Sequence, residues 1–307
     1  MDEGAPVRFG WFPEPLAERL DDIVRGVELA ERLGLDLVGI QDHPYQRRFL
    51  DTFTLLAVLA VRTSRIGLFT DVASLPLRPP GVLAKTSATL DLVSGGRFDL
   101  GLGAGAFWDA IEGLGGPRRT PGEALAALDE AIAVLRLLWS GERGLRFDGR
   151  HYRLGGVHGG PVPSRPIGIW VGAGGPRMMR LIGRAADGWV PSSGWLPPSE
   201  IDGRWRLIEE AALEAGRDPG AIRRVYNVAG RITGAGEAGP TGFLDGPPEL
   251  WTEQLTELVL AHGVDSFILW PKQDPEDQLH RLAEEVAPAV REAVAAARLE
   301  RSAGGQR

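Results

Sequence analysis

Short apolar runs alternating with helical stripes constrain this chain more than any other feature of its sequence. Strand-like runs are predicted at Val7–Phe12, Leu35–Ile40, Ile66–Thr70, Arg97–Leu102, Ile167–Val171, Asp187–Val190, Arg223–Ala229 and Ser266–Trp270. They are too brief for helices and are rich in β-branched and aromatic residues. Helical periodicity fills the intervals: Leu16 to Ala30, an Asp51-capped segment holding Phe53, Leu55, Leu56, Val58 and Leu59, and Val82 to Leu92. It continues at Glu123 to Trp139, Pro176 to Ala185, Pro198 to Ala215, Glu249 to His262, and Asp274 to Ala297. Strands alternating with helices imply a parallel sheet. Eight such units in 307 residues, with no linker dividing them, fit a (β/α)8 TIM barrel over residues 1–297, with 298–307 as a flexible tail. Excursions are expected after strand four (Ala106–Pro121), before strand five (a Leu145–Leu154 hairpin turning at Asp148-Gly149) and after strand seven (Gly234–Pro248). A doubly wound sheet would carry its glycine loop after the first strand, where Pro13-Glu14-Pro15 stands instead.

A barrel of this kind works at the C-terminal ends of its strands. That rule gathers Trp11, Phe12, Asp42, His43, Tyr45, Asp71 to Ser74, Gly103 to Trp108, Gly174 to Arg177, Ser192, Ser193, Asn227 and Trp270 around one mouth. Within it, Gly172-Ala-Gly-Gly175 runs into Pro176, a residue suited to the first position of a helix. Exposed N–H groups at a helix start, with the positive end of its dipole, make an anion site. Arg177 adds a fork-shaped cation fitted to phosphate. The competing reading is a tight turn whose glycines only permit packing and whose Arg177 is solvated. His43 suits proton transfer, since its ordinary pKa lies near neutrality; the competing reading is a structural hydrogen bond to Asp42. Trp11, Tyr45, Trp108 and Trp270 are the candidate substrate-pocket aromatics.

Composition removes several other chemistries. The chain has no cysteine, which excludes disulfides, thiolate nucleophiles and Cys-ligated metal. No histidine–carboxylate cluster has ligand spacing, so no metal is expected. A net charge of −7 argues against a nucleic-acid backbone as partner. The longest apolar run, Leu55 to Val61, is far below the roughly 20 residues that span a bilayer, and Met1-Asp2-Glu3-Gly4 is unlike a signal peptide. A cytoplasmic protein acting on a small molecule is the expected class.

Five stretches in register resemble the luciferase-like flavin-dependent oxidoreductase (monooxygenase) family. They are Gln41-Asp-His43, Leu75-Pro-Leu-Arg-Pro-Pro80, Asp91-Leu-Val-Ser-Gly-Gly-Arg-Phe-Asp-Leu-Gly-Leu-Gly-Ala-Gly105, Phe147-Asp-Gly-Arg-His-Tyr152 and Pro166 to Ser193. The resemblance implies a (β/α)8 barrel holding reduced FMN for monooxygenation or the deazaflavin coenzyme F420 for hydride transfer. It implies that Gly174, Gly175, Pro176 and Arg177 hold the cofactor phosphate with Ser192 or Ser193. Asp71, Val72, Gly103, Ala104 and Gly105 would lie against the ring system. It also places a non-prolyl cis peptide, found in deazaflavin members and some others, near Asp71-Val72, and a histidine of the reacting centre at His43. An FMN enzyme would draw reduced flavin from a separate reductase, and relatives are often homodimers. In the sugar-phosphate dehydrogenase branch a glutamate follows the strand-four glycines as general acid; Ala106 stands there in this chain, which argues against that reaction.

The main expectation is therefore a monooxygenase-type enzyme using reduced flavin, with F420-dependent hydride transfer as the alternative. A flavin-binding protein without turnover is a reading from another class. An aldolase- or isomerase-type barrel would need a reactive lysine at a strand end, and Lys85 and Lys272 are the two lysines of the sequence.

Overall fold

The computed structural model describes residues 6–234 and 242–304. Eight parallel strands close on themselves: β1 (Arg8–Trp11), β2 (Leu37–Ile40), β3 (Gly67–Thr70), β4 (Phe98–Gly103), β5 (Ile169–Val171), β6 (Gly188–Trp189), β7 (Arg223–Ile232) and β8 (Ser266–Pro271). Each pairs with its neighbour in sequence. The ring is shut by β8 on β1, with Arg8 opposite Ser266 and Trp11 opposite Leu269. The shortest strand, β6, still pairs on both sides, with β5 and with β7.

Eight helical units surround the ring: α1 (Leu20–Arg32), α2 (Thr52–Arg62), α3 (Pro80–Ser94), α4 (Pro121–Trp139), α5 (Pro176–Ala185), α6 (Ile201–Glu214) and α7 (Pro248–His262). The last, α8, starts as Pro275–Arg281, passes through a π-helical turn at Leu282–Val286 and continues as Ala287–Gly304. It thus runs past Ala297, where the periodicity predicts its end, so residues 298–304 are helical. Local chemistry sets several starts. Asp51 caps α2 by accepting from the Thr54 amide, and Thr120 with Glu123 forms a reciprocal capping box on α4. Prolines occupy the first turn of α3, α4, α5, α7 and α8, where no N–H is needed.

Strand alternation sorts side chains into two cores. Phe12, Leu37, Phe69, Trp170, Val190, Val225 and Ile268 fill the barrel interior, while the larger cluster lies between strands and helices. Three expectations change. The Ala106–Pro121 excursion contains a short helix at Trp108–Gly113. Val58 is exposed on α2 rather than buried. The hairpin is real but longer than expected, Leu145–Asp148 against Arg153–Val157. Of the excursion after β7, residues 235–241 lie outside the described residues; Asp245–Gly246 adds a short parallel strand to β7.

Candidate active site

At the C-terminal end of β2 the chain turns through His43-Pro44-Tyr45-Gln46, closed by the Gln46 amide donating to the His43 carbonyl at 2.8 Å. Proline is favoured at the second position of such a turn. The turn folds Tyr45 back, and its hydroxyl lies 2.6 Å from His43 Nδ1. Phe107, at the end of the β4 loop, meets the His43 ring edge-on at 5.6 Å and lies 5.9 Å from Tyr45. Burial lowers the His43 pKa and outweighs the opposing charge of Asp42, so the imidazole is neutral at pH 7. Burial, helped by Asp42, pushes the Tyr45 phenol up to about 12.

Asp42 is not the hydrogen-bond partner of His43. It is buried, receives Nε and Nη2 of Arg78 at 2.7 Å each, and accepts from the Ser74 amide at 2.9 Å. Arg78 also reaches Asp51 at 2.6 Å and lies over the Phe53 ring at 4.5 Å. The structural reading of His43 beside Asp42 is therefore set aside in favour of the contact with Tyr45.

Asp71 follows β3 and its peptide bond to Val72 is cis. Its side chain enters the barrel above Gly39, where a Cβ would come within 2.9 Å of Oδ2. Oδ1 accepts from Asn227 Nδ2 at 2.9 Å, and that amide also reaches Ser192 Oγ at 3.3 Å. Oδ2 is buried without a partner among the described residues. Desolvation raises the Asp71 pKa to about 7, against the smaller opposing effect of Asn227. The folded chain keeps this proton up to about pH 7, whereas an unfolded chain releases it near pH 4. Between those values the native state binds more protons, so stability falls as pH rises and levels off above 7. Asp71→Asn is expected to remove that decline. Urea unfolding of both proteins between pH 4.5 and 7.5 measures it, and parallel curves would refute the assignment.

Val72 explains several glycines. A Cβ on Gly101, Gly103 or Gly172 would come within 3.1, 2.8 and 3.1 Å of Val72 methyls. The missing side chain at Gly103 makes room for Val72. Gly105 has φ +105° and lies under the Trp108 ring and Pro76, with Ala104 half-buried beside it. Gly174 and Gly175 differ: a Cβ on either would meet open space. Gly175 caps α5, Pro176 begins it, and Arg177 is exposed in its first turn with no ion pair among the described residues. Ser192 and Ser193 lie next to β7, where Ser193 Oγ accepts from the Ala229 amide at 3.3 Å. Each hydroxyl retains its own hydrogen to donate.

The four aromatics part company. Tyr45 and Trp108 stand on the mouth, and Trp270 is half exposed there with its ring 5.4 Å from Phe12. Trp11 does not. Strand alternation turns it outward against α1, where a Cβ on Gly26 would come within 2.5 Å of its ring. It borders a groove of about 940 Å³ between α1 and the segment after β8, which Phe12, Trp270 and Lys272 also line. Lys85 is on α3, bonded to the Gly160 carbonyl, so neither lysine supports an aldolase-type site. Phe107, Arg78 and Asn227 are members of the site that the sequence left without a role. Asp109 and Glu112, near Ala106, both pair with Arg118 on the surface. Among the described residues, no group of three His, Asp or Glu could hold a metal ion, and no helix is long and apolar enough to cross a membrane.

The eight-stranded parallel barrel thus carries, at the C-terminal ends of its strands, the start of α5 with an exposed arginine after β5 and a half-buried histidine after β2. The pattern of the luciferase-like monooxygenase family matches residues 5–231, and the chain belongs to that family. It is 35% identical over 207 residues to a protein of Nocardia farcinica named F420-dependent glucose-6-phosphate dehydrogenase, a match covering 65% of this chain and 61% of that one. The matched segment thus spans under two thirds of that relative. Two solved structures share the fold. An F420-dependent secondary alcohol dehydrogenase with an F420–acetone adduct superimposes with TM-score 0.82 at 19% identity, covering 93% of this chain and 99% of that one. The oxygenating constituent of a Pseudomonas putida diketocamphane monooxygenase, in complex with FMN, gives 0.74 at 20%, covering 92% and 98%.

Proposed function

We propose that this chain is an F420-dependent oxidoreductase that transfers hydride between the deazaflavin and a small organic substrate. The observation that carries the reading is the open cradle at Gly174-Gly175-Pro176-Arg177, on the same mouth as His43. The names of its sequence relatives favour F420 over the reduced-FMN monooxygenase first expected, although the fold serves both cofactors.

The residues present fit such a cofactor. Gly174 and Gly175 leave their backbone open where side chains would otherwise project. The start of α5 and the Arg177 guanidinium suit the charge of a phosphate. Ser192 and Ser193 have hydroxyl hydrogens to donate beside it. Phe12, Val72 and Trp270 offer apolar surface toward the mouth, where a ring system is shielded from water. When bound, the cofactor supplies the hydride chemistry. The protein's part is to orient it, exclude water and handle the proton at His43 Nε2. With Ala106 in place of the glutamate of the sugar-phosphate branch, and Asp109 and Glu112 tied to Arg118, the substrate is proposed to be other than a sugar phosphate.

Titration of the purified protein with F420 and with FMN, followed by absorbance and fluorescence, tests the reading. F420 is expected to bind more tightly; binding of FMN alone, or of neither by folded protein, overturns it. Arg177→Ala is expected to weaken F420 binding by roughly 10–100-fold, the worth of a lost charge-assisted hydrogen bond of about 1.5–3 kcal/mol. Its stability should stay within about 0.5 kcal/mol of the parent, since the side chain is exposed and makes no ion pair among the described residues.

A further inference from the structure

We propose that Tyr45 is a positioning residue that fixes the tautomer of His43, holding the proton on Nε2 so that the site at rest presents a proton donor to its substrate. The inference deepens the hydride-transfer reading and rests on it for its chemical consequence, though not for its test.

The geometry begins with the turn. His43 precedes proline, which restricts its backbone, and the Gln46-to-His43 hydrogen bond fixes the relative placement of the two rings. Tyr45 Oη and His43 Nδ1 then stand 2.6 Å apart. One proton lies between them, and the chemistry of the two atoms decides its owner. A phenol is the better acid, and an imidazole lone pair accepts better than a phenolic oxygen whose electrons are shared with its ring. Burial disfavours charge on both partners, so the pair is neutral and the phenol keeps its hydrogen. Tyr45 therefore donates and Nδ1 accepts. In a neutral imidazole the remaining hydrogen is then on Nε2, which has no protein partner among the described residues.

The other groups facing His43 agree with this assignment. Phe49 and Phe107 are apolar rings at 6.4 and 5.6 Å, and offer Nδ1 no competing acceptor. Asp42 is the nearby charge, and its oxygens are taken by Arg78 and the Ser74 amide.

The consequence is directional. A site resting with Nε2–H is prepared to protonate an atom that gains negative charge, as a carbonyl oxygen does when hydride reaches its carbon. The bound reduced deazaflavin would supply the hydride to the carbonyl carbon. The N–H bond at Nε2 breaks, and its proton forms the new O–H bond. As Nε2 loses its proton, Nδ1 takes one from Tyr45 Oη; solvent then reprotonates Nε2 and Nδ1 returns its proton to the phenolate, which restores the resting tautomer. The favoured substrates are thus carbonyl compounds undergoing reduction.

Nitrogen-15 NMR of cofactor-free protein, with labelled histidine and His43→Asn to assign the signal, reads the tautomer directly. Above the His43 pKa, Nδ1 is expected to be unprotonated and Nε2 protonated. Tyr45→Phe should shift the signal toward a mixture of tautomers and move the His43 pKa up, because the hydrogen bond favouring the neutral ring is gone. A proton on Nδ1 in the parent protein, or an unchanged signature in Tyr45→Phe, overturns the proposal. Because no cofactor is present, either result is separate from the outcome of the F420 titration.

Discussion

His43→Ala is expected to lower turnover by about 10²–10⁴-fold, the usual contribution of a positioned proton-transfer group, while F420 still binds. The separation follows from the layout of the mouth. Cofactor affinity is assigned to the N-terminus of α5, Arg177 and the two serines, whereas His43 stands at the end of β2 in an aromatic box with Tyr45 and Phe107. Truncating His43 would remove the proposed proton carrier and leave the start of α5 as it is. Steady-state turnover with a panel of ketones and alcohols, paired with fluorescence titration of F420, measures both arms. Unchanged turnover would remove His43 from the mechanism. Equal loss in both arms would make it a binding residue.

The variant also reports on pH. Burial lowers the His43 pKa, so in the parent the ring becomes protonated only at a pH below its ordinary range. An activity limb that depends on the neutral ring should therefore extend to more acidic pH than for a solvent-exposed histidine. His43→Ala should abolish that limb, which a pH–rate profile resolves.

The architecture was legible in sequence because each barrel unit is locally consistent: strand run, loop and amphipathic stripe agree at every turn. The strand–loop–helix that holds Gly174 to Arg177 was legible for the same reason, since it is continuous in sequence. What escaped is whatever depends on contacts between distant positions. Glycine at 103 reads like glycine at 174, yet one accommodates Val72 and the other faces open space. Arg78 looked like part of a proline-rich turn, and its pairing with Asp42 crosses 36 residues. Trp11 is a different case. Strand parity could have placed it outside, because Phe12, its neighbour, belongs to the barrel interior. Phe107 falls in the Gly103–Trp108 stretch that the strand-end rule brought to the mouth, but its contact with His43 depends on the short helix that follows it, in a loop whose periodicity is too brief to read.

Removing the Arg78 side chain should be the most damaging single substitution near the site, and the reason is the charge it leaves behind. The Asp42 side chain is 1% exposed, against 20% for Arg78, and receives the guanidinium through two parallel hydrogen bonds. Arg78→Ala leaves that carboxylate with the Ser74 amide as its remaining donor, and deletes the guanidinium face over Phe53. Stranding a buried charge in this way typically costs about 3–5 kcal/mol, compared with about 0–1 kcal/mol for an exposed ion pair. Turnover should fall as well, since Asp42 is the residue before His43 and its fixed carboxylate anchors the start of the turn. The double variant Asp42→Asn/Arg78→Met separates the two contributions. It strands no charge, so most of the stability should return, while the turn before His43 loses its clamp and activity stays low. Urea unfolding of the parent, the single variant and the double variant measures the first effect, and ketone reduction the second. A single-variant loss below about 1 kcal/mol would place the pair with ordinary surface bridges. A double variant as unstable as the single one would show that packing against Phe53, not the stranded carboxylate, carries the energy.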